Sequence, residues 1–342
     1  MVIAPRAFPM LAVSFSLAIA MASAAHGQVE TTISDTGDEI AGADMAGDDP
    51  TFTEPAKPGH RTASPSLYIS EPDVERCASG TLRSEARSGF ITTLNAERAH
   101  HGLGSVGYDA ASDDEATAAA LIMAANGALS HEPSPSWKCW SASGARGAGS
   151  SNLLLNMTSD VSFPANDTGL VAQWLIEGGG DELGHRRWLL DPYLTRTALG
   201  RVTQVLPDGS RIDAAVMKVF DLSGEGPWPA QVPEFIAWPQ GDYPRSLFSP
   251  AARLSFTVVT GTPGSAAAAG VDFSRASVTV SDGGSHLRVS ALQSDNEAYG
   301  VANCLSWRVA GLQSGRRYEV TISGVAGAPR SRYDYDFTIE PA

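Results

Sequence analysis

The sequence predicts an α+β domain followed by an all-β domain. In the first two thirds of the chain, apolar residues recur at helical spacing in several segments, and a strand hairpin follows those segments. Residues 241–342 instead alternate short runs of β-branched and aromatic residues with turn residues, a pattern typical of a two-sheet sandwich. A chain of 342 residues is long enough for two such domains.

Helices precede the hairpin in the first domain. Their predicted ranges are 82–100, 112–128, 170–176 and 182–192. Ser112 is suited to cap the second helix, and the acidic residues directly after it favour a helix N-terminus. Pro192 stops the last helix. The hairpin joins strands 198–206 and 214–220 through a Pro-Asp-Gly turn, whereas the Gly-rich residues 142–152 are assigned no element.

The strands of the second domain are short and separated by turn residues. Their predicted ranges are 254–259, 277–280, 287–289, 305–309, 318–322 and 333–339. Residues 312–320 resemble the tight turn and strand entry of fibronectin-like and immunoglobulin-like modules, so we predict an immunoglobulin-like β-sandwich over 241–342. A segment rich in Pro, Gly and Trp, residues 223–240, is the predicted connector between the domains.

The N-terminus has the features of a secretory signal peptide. Arg6 precedes an apolar run from Met10 to Met21, and the small residues 22–24 offer a cleavage site. The apolar run is too short to span a membrane, and no later segment is long and apolar enough to do so. We therefore predict a signal peptide over 1–24 and a secreted protein, extracellular or periplasmic, with no transmembrane segment in the mature chain.

Acidic residues dominate the segment after the signal peptide. Residues 29–60 carry eight Asp or Glu and one Lys, with few large apolar residues, which predicts a disordered acidic linker over 25–76. The net charge of the chain is −14, and no run of basic residues forms a patch. Nucleic acid is therefore not an expected partner.

Export permits disulfide bonds, and the chain has three cysteines. Cys77 and Cys139 both fall in the first domain and are the predicted disulfide pair, closing a loop of about 60 residues. Cys304 lies in a strand-like run with no basic partner near it in sequence, so we expect a buried thiol rather than a nucleophile.

Five motifs follow one another between residues 80 and 222. They are Leu94-Asn95-x-x-Arg98, Gly127-x-Leu129-x-His131, Gly149-Ser150-Ser151-Asn152-Leu153, Trp174-x-x-Glu177 and Gly184-His185-Arg186. Their order resembles the CAP superfamily, which includes cysteine-rich secretory proteins, insect venom antigens and plant pathogenesis-related proteins. The stretch from Gly184 to Pro192 is similar to the bacterial branch. The resemblance implies a CAP domain, an αβα sandwich, over 77–222.

The resemblance also implies a cleft lined by two histidines and two acidic residues, which in some members holds a divalent cation. His131, His185 and Glu177 match three of these positions. Ser151, followed by Asn152, stands where the family has its second glutamate. Two imidazoles and one carboxylate can still bind zinc with water in the fourth place, so His131, His185 and Glu177 are candidate metal ligands. Having one carboxylate fewer disfavours calcium and magnesium.

Structural roles are open alternatives for both histidines. His131 follows a helix end, where it can bond to terminal carbonyls, and His185 can hydrogen-bond to Glu177. A hydrolytic set of Ser151, His131 and Glu177 lacks a Gly-x-Ser-x-Gly elbow to support it. Arg98, Arg186 and Arg187 are predicted to be surface groups in ion pairs. Trp174 and Trp188 are predicted to lie in the core.

Three functions are compatible with these observations. The first, which we predict, is a secreted protein without dedicated catalytic machinery that binds a small apolar ligand or a partner protein in the His-lined cleft. The resemblance implies sterols, fatty acids or other small apolar molecules as such ligands. The second is a zinc-dependent hydrolase of peptides or esters, in which His131, His185 and Glu177 hold the metal that activates water. The third is an envelope-docking protein that binds through its C-terminal sandwich.

Overall fold

The computed structural model describes residues 66–159, 163–177, 183–220, 222, 228–262 and 265–341. The predicted signal peptide and the predicted linker up to residue 65 lie outside these residues, as does part of the predicted connector. Within the described residues, 66–220 form helices around a sheet, and the chain after 228 forms two further sheets.

The described chain before the connector contains five α-helices and seven strands. The helices are α1 (Ser84–His100), α2 (Asp113–Asn126), α3 (Ala142–Gly149), α4 (Asp167–Ile176) and α5 (Gly184–Leu189). The strands are β1 (Tyr68–Ser70), β2 (Thr81–Leu82), β3 (Gly107–Tyr108), β4 (Ser151–Thr158), β5 (Arg196–Thr197), β6 (Leu199–Val205) and β7 (Arg211–Lys218). The predicted helices correspond to α1, α2, α4 and α5, and the predicted hairpin corresponds to β6 and β7.

A three-stranded antiparallel sheet, ordered β4-β7-β6, lies between two helical layers. Side chains alternate along β7, so that Ala214 and Val216 belong to the core under α2. Ala215 and Met217 belong to the opposite core, which contains residues of α1 and α4. Because both faces of the sheet are covered by helices, this half of the described chain has the αβα arrangement that the motifs imply.

Helix α2 differs from its prediction at the N-terminus. Ser112 makes no capping bond, because its hydroxyl donates to Asp109 Oδ2 at 2.7 Å instead. The acidic first turn remains, and its charges interact favourably with the positive end of the helix dipole. At the other end, Gly127 adopts a left-handed conformation with φ 57°, which glycine reaches without steric cost.

Helix α3 and strand β4 occupy the Gly-rich segment for which the sequence predicts no element. Glycine disfavours a helix by about 1 kcal/mol relative to alanine. However, a Cβ at Gly147 would lie 2.2 Å from the Glu115 carbonyl oxygen, and a Cβ at Gly144 would lie 2.6 Å from Ile122 Cδ1. Close packing of α3 on α2 therefore requires these glycines. The same glycines disfavour a helix locally, which is why the sequence pattern does not indicate one. Ser141 caps α3 by accepting a bond from the Gly144 N–H.

The described part of the predicted linker, residues 66–76, is ordered. Tyr68 in β1 is buried, and its hydroxyl donates to the Arg201 carbonyl oxygen at 3.3 Å and accepts from the Thr203 N–H at 3.0 Å. Strand β1 also pairs with β2. The prediction of disorder is therefore wrong for residues 66–76, because one aromatic side chain is inserted into the core and holds the segment against the domain.

Nine strands, one short α-helix and a 3-10 turn at Arg245–Leu247 follow in the described residues after 228. The strands and the α-helix are β8 (Phe235–Trp238), β9 (Gly241–Tyr243), β10 (Leu254–Val258), α6 (Ala266–Ala269), β11 (Ser277–Asp282), β12 (Ser285–His286), β13 (Val289–Asp295), β14 (Cys304–Val309), β15 (Arg317–Ser323) and β16 (Arg332–Ile339). One sheet has the order β13-β14-β10-β8, and the other has the order β12-β11-β15-β16-β9. The region is rich in sheet, as predicted.

Strand β8 lies inside the predicted connector, which is therefore wrong for residues 235–238. This strand pairs antiparallel with β10 at the edge of the four-stranded sheet. Its Trp238 is fully buried, and Phe235 contacts the rings of Phe256 and Tyr333. The nearby prolines and tryptophans suggest irregular chain, but burial of these aromatic side chains stabilises an edge strand there.

The three arginines predicted as surface groups are buried. Arg98 donates to the carbonyl oxygens of Leu189 and Asp191 at 2.7 and 2.9 Å. Arg186 and Arg187 extend from α5 to the C-terminal sheets. Their partners there are the Arg253 carbonyl, Ser255 Oγ, the Asp295 carboxylate and the carbonyls of Glu297 and Val301. These bonds satisfy carbonyl groups that are distant in sequence, which the local charge pattern does not indicate.

The disulfide bears on the cellular location, because export permits such bonds. Cys77 and Cys139 form a disulfide, as predicted. Cys304 is buried and free, as expected, and burial raises the pKa of its thiol to about 11, so the thiol stays protonated at neutral pH. Among the described residues, none of the helices has the length and apolar character needed to cross a membrane.

Candidate functional site

Glu177 ends α4 in a left-handed backbone conformation, with φ 48° and ψ 57°. A residue with a side chain adopts this conformation at a cost of about 1 kcal/mol or more, which is why glycine is usual at such positions. Surrounding contacts hold it in place: the Glu177 N–H bonds to the Gln173 carbonyl, and its Oε1 accepts a bond from the Arg186 N–H at 3.0 Å. Backbone strain of this kind is found at functional sites.

The Glu177 carboxylate also holds His185. Its Oε1 lies 3.3 Å from His185 Nδ1, and the exposed fractions of the two side chains are 5% for Glu177 and 39% for His185. A neutral imidazole that donates from Nδ1 has its lone pair on Nε2. The buried carboxylate therefore orients an imidazole that solvent or a ligand can reach.

Asn152 connects this pair to the sheet. It is buried at the start of β4, and its side-chain amide donates to the His185 carbonyl oxygen at 3.0 Å. Glu177 Oε2 is buried and has no hydrogen-bond partner among the described residues. Asn152, Glu177 and His185 are thus brought together, and we call these three residues the His185 site.

Ser151 and His131 lie on the side of α2 and α3 instead. Ser151 is the cross-strand partner of Lys218, whose ammonium group binds Glu115 on α2, and residues directly opposite in a ladder share one face. His131 Nδ1 lies 2.9 Å from the Ala148 carbonyl oxygen near the end of α3. Ser151 Oγ has no hydrogen-bond partner among the described residues, so no imidazole there activates it. The side chains of Ser151 and Asn152 therefore belong to opposite faces of the sheet.

The predicted metal ligands are divided by this arrangement. His185 contacts Glu177, whereas His131 is bonded to the end of α3. Within the part of the chain that the structure describes, no group of three or more His, Cys, Asp or Glu residues has the arrangement to hold a metal ion. His131, His185 and Glu177 are thus not gathered into a zinc site here.

The two tryptophans predicted in the core differ from each other. Trp174 is buried and donates from Nε1 to the Leu153 carbonyl oxygen at 3.3 Å. Trp188 is only partly buried, and its ring centroid lies 5.4 Å from that of Phe220, which is 39% exposed. Trp188 is therefore at the border of the core, beside an exposed aromatic ring that the sequence does not single out.

The sequence motifs do not indicate a second buried polar group, formed by Glu97, His101 and Tyr243. Glu97 on α1 and His101, directly after the helix, are fully buried, and His101 Nε2 lies 3.2 Å from Glu97 Oε1. The Tyr243 hydroxyl donates to the same Glu97 oxygen. Burial, with Glu97 beside it, raises the pKa of Tyr243 well above its usual value. Glu97 and His101 have the i, i+4 spacing of a helical pair, but the motif Leu94-Asn95-x-x-Arg98 does not include either residue. These residues connect α1 to β9 and lie outside the His185 site.

Asp191, just beyond α5, provides a pH-dependent test of the buried environment. Burial raises the pKa of its carboxyl group to about 6, although Arg98 opposes the shift, whereas the ordinary value is 3.8. The folded protein therefore binds this proton more tightly than the unfolded chain does. This contribution to the free energy of unfolding is present at pH 4 and is lost as the pH rises through about 6. We expect the stability of Asp191→Asn relative to wild type to be about 2 kcal/mol higher at pH 7 than at pH 4. Urea unfolding at both pH values measures this difference, and an equal difference at the two pH values would contradict it.

The two helical layers, the central sheet and the His185 site define an αβα sandwich domain with an oriented histidine at its surface. Residues 91–205 match the family model of the cysteine-rich secretory protein family, CAP. This part of the chain is a CAP domain, in agreement with the order of the sequence motifs. No curated protein matches the chain. The CAP domain and the Cys77–Cys139 disulfide are consistent with an extracellular binding protein.

Proposed function

We propose that this is a secreted protein that binds a small apolar ligand, or a partner protein, at the His185 site without catalysing a reaction. The observation that carries the proposal is the Glu177–His185 pair, in which a buried carboxylate orients a partly exposed imidazole. One placed polar group beside apolar surface suits recognition of a mostly apolar molecule. The signal peptide predicted over 1–24 supports export.

Hydrolysis has less support from the described residues. Ser151 Oγ lacks a base, and it lies across the sheet from His185. A zinc hydrolase would need His131 to join His185 and Glu177, which it does not do in this arrangement. Zinc at stoichiometric level in purified protein, lost in a His131→Ala/His185→Ala variant together with peptide or ester hydrolysis, would favour this alternative over binding alone.

Titration of a fluorescent fatty acid and a fluorescent sterol into the full-length protein tests the proposed function. We expect saturable binding of at least one probe. Replacing His185 by alanine removes one hydrogen bond and should weaken binding about fivefold, because a bond of about 1 kcal/mol corresponds to that factor. The variant Glu177→Gln retains the shape of the carboxylate but not its charge, and should weaken binding less.

His286→Ala is the matched control, since His286 is an exposed histidine on β12 in the five-stranded sheet. Its affinity for both probes should equal that of wild type. Equal affinities for wild type and His185→Ala would contradict the proposal, as would turnover of an ester or peptide substrate that depends on zinc.

Strand β13 favours a second candidate, docking on the envelope through the C-terminal region. It forms one edge of the four-stranded sheet, and most of its side chains are exposed, including Leu292 at 43%. An exposed edge strand can accept a further strand from a partner. The two sheets after residue 228 also support the proposed immunoglobulin-like relationship, and such sandwiches occur in many cell-surface proteins. Cosedimentation of the full-length protein with envelope fractions, compared for wild type and Leu292→Lys, tests this candidate. Equal sedimentation of the two would argue against it.

A further inference from the structure

Helix α5 exposes more than the imidazole of His185. Trp188 lies three residues after His185 and therefore on the same side of the helix. Its ring pairs with that of Phe220, with centroids 5.4 Å apart and planes inclined by 35°. The side chains of His185 and Phe220 are each 39% exposed. The accessible side of α5 thus combines a polar group with aromatic surface.

The start of β4 and the residue before it contact both the His185 site and Phe220. The Phe220 N–H donates to the Ser150 carbonyl oxygen at 3.4 Å, directly before β4, and Asn152 in the same segment donates to the His185 carbonyl oxygen. Two short links therefore connect the aromatic pair with the imidazole: α5 through Trp188, and residues 150–152 through Phe220. The aromatic pair adjoins the His185 site.

Phe220 is unusually exposed for such a large apolar residue, at 39%. It follows β7 and Val219, and all residues from Ile212 to Val219 are buried. Phe220 itself is absent from the cores on either side of the sheet. Packing thus accounts for the strand but not for the phenyl ring at its end. An exposed aromatic ring next to an oriented polar group is typical of a surface that receives a ligand.

We propose that Trp188 and Phe220 form an aromatic platform that selects a ring-shaped ligand for the His185 site. The ligand offers one flat apolar face to the aromatic pair and a hydroxyl group to His185 Nε2, which accepts a hydrogen bond while Nδ1 stays beside Glu177, 3.3 Å from Oε1. Hydroxylated aromatic rings and the apolar face of a sugar share this chemistry. The proposal rests on the proposed function, because it assigns a ligand class to the same site.

Calorimetric titration of the full-length protein with 2-naphthol and with cellotriose distinguishes the two sources of such a ring. We expect one of them to bind, and Phe220→Ala to weaken that binding about threefold to tenfold, the range of a lost aromatic contact. Phe220→Tyr keeps the ring and should retain the affinity. If 2-naphthol is the one that binds, 2-methoxynaphthalene, which cannot donate to His185, should bind more weakly to wild type and equally to wild type and His185→Ala.

Trp228→Ala is the matched control, because Trp228 is also an exposed aromatic residue but pairs with Tyr193 rather than with Trp188. The Trp228→Ala variant should have the same affinity as wild type. Urea unfolding of Phe220→Ala should show that this variant is folded. Binding of neither compound to wild type, or equal losses for Phe220→Ala and Trp228→Ala, would overturn the platform. If fatty acid or sterol binding still depends on His185 in that case, the proposed function stands and only the ring selectivity fails.

Discussion

Replacing Arg186 by methionine is expected to lower the free energy of unfolding by about 4 kcal/mol. The Arg186 guanidinium group is fully buried and donates to the Leu175 carbonyl oxygen at 2.5 Å and the Arg253 carbonyl oxygen at 2.8 Å. It also stacks 3.8 Å from the ring centroid of Trp238. A methionine fills similar space but leaves buried acceptors without donors, and each costs about 1–3 kcal/mol.

The position of Arg186 makes this effect larger than that of an ordinary ion pair. Leu175 and Ile176 are the last residues of α4, and Arg186 donates to both of their carbonyls, which have no partner within the helix. Its other bonds reach the C-terminal sheets. Burial lowers the pKa of Arg186 to about 10, with Glu177 opposing the shift, so the group stays charged at neutral pH. One side chain thus caps a helix of the CAP domain and attaches it to the C-terminal region.

Urea unfolding of the full-length protein measures the effect of Arg186→Met. Arg332→Met is the matched control, because Arg332 forms an exposed ion pair with Asp334 on the outer surface of β16. Exposed pairs of this kind contribute little to stability, so no measurable change is expected there. Arg186→Lys keeps the charge without the planar fork and should lie between methionine and wild type. A loss below 1 kcal/mol for Arg186→Met would refute the assigned role.

Removal of the Cys77–Cys139 disulfide is expected to destabilise the protein by a similar amount, about 4 kcal/mol. The bond closes a loop across a sequence separation of 62 residues, and the cost of closing such a loop in the unfolded chain falls in this range. The disulfide ties the segment before α1 to the loop between α2 and α3. A Cys77→Ala/Cys139→Ala variant, compared with wild type by urea unfolding, measures this contribution.

A glycine variant separates the cross-link from the backbone. Cys77 and Cys139 both have left-handed backbones, with φ 54° and 60°, which cost energy for any residue with a side chain. Cys77→Gly/Cys139→Gly removes the bond but also that strain, so it should be less destabilised than the alanine variant. Thiol titration of the denatured wild type should find one reactive group, Cys304. Three reactive groups without prior reduction would show that the disulfide does not form.

The chain order of the CAP motifs was sufficient to predict the CAP domain. The motifs place Glu177 and His185 on either side of a short break between two helices, and those two residues do meet. Local signals such as Pro192 and the Pro-Asp-Gly turn also located the helices and the hairpin. These predictions succeeded because they depend on interactions within a few residues along the chain.

Glycine content and charge gave wrong predictions of helix α3 and of the exposure of polar residues, because packing between distant segments decides both. Helix α3 was missed because Gly144 and Gly147 oppose a helix locally, although the contact with α2 requires them. Arg98 and Glu97 lie in a polar segment of α1, but both are fully buried. Besides nearby partners such as His101, they bond to the chain near Asp191 and to Tyr243, and motif spacing does not reveal these distant partners.

The sequence by itself determined the order of four helices and the following hairpin, the disulfide partners and the identity of the residues that the CAP motifs contribute. Only the tertiary structure decided which of those residues share a site. Ser151 and Asn152 are neighbours in sequence, yet strand alternation directs Ser151 toward the side of α2 and Asn152 toward His185. The structure likewise placed Phe220 beside Trp188. The physical reason is that contacts between distant segments depend on strand register and helix packing, which motif spacing does not specify.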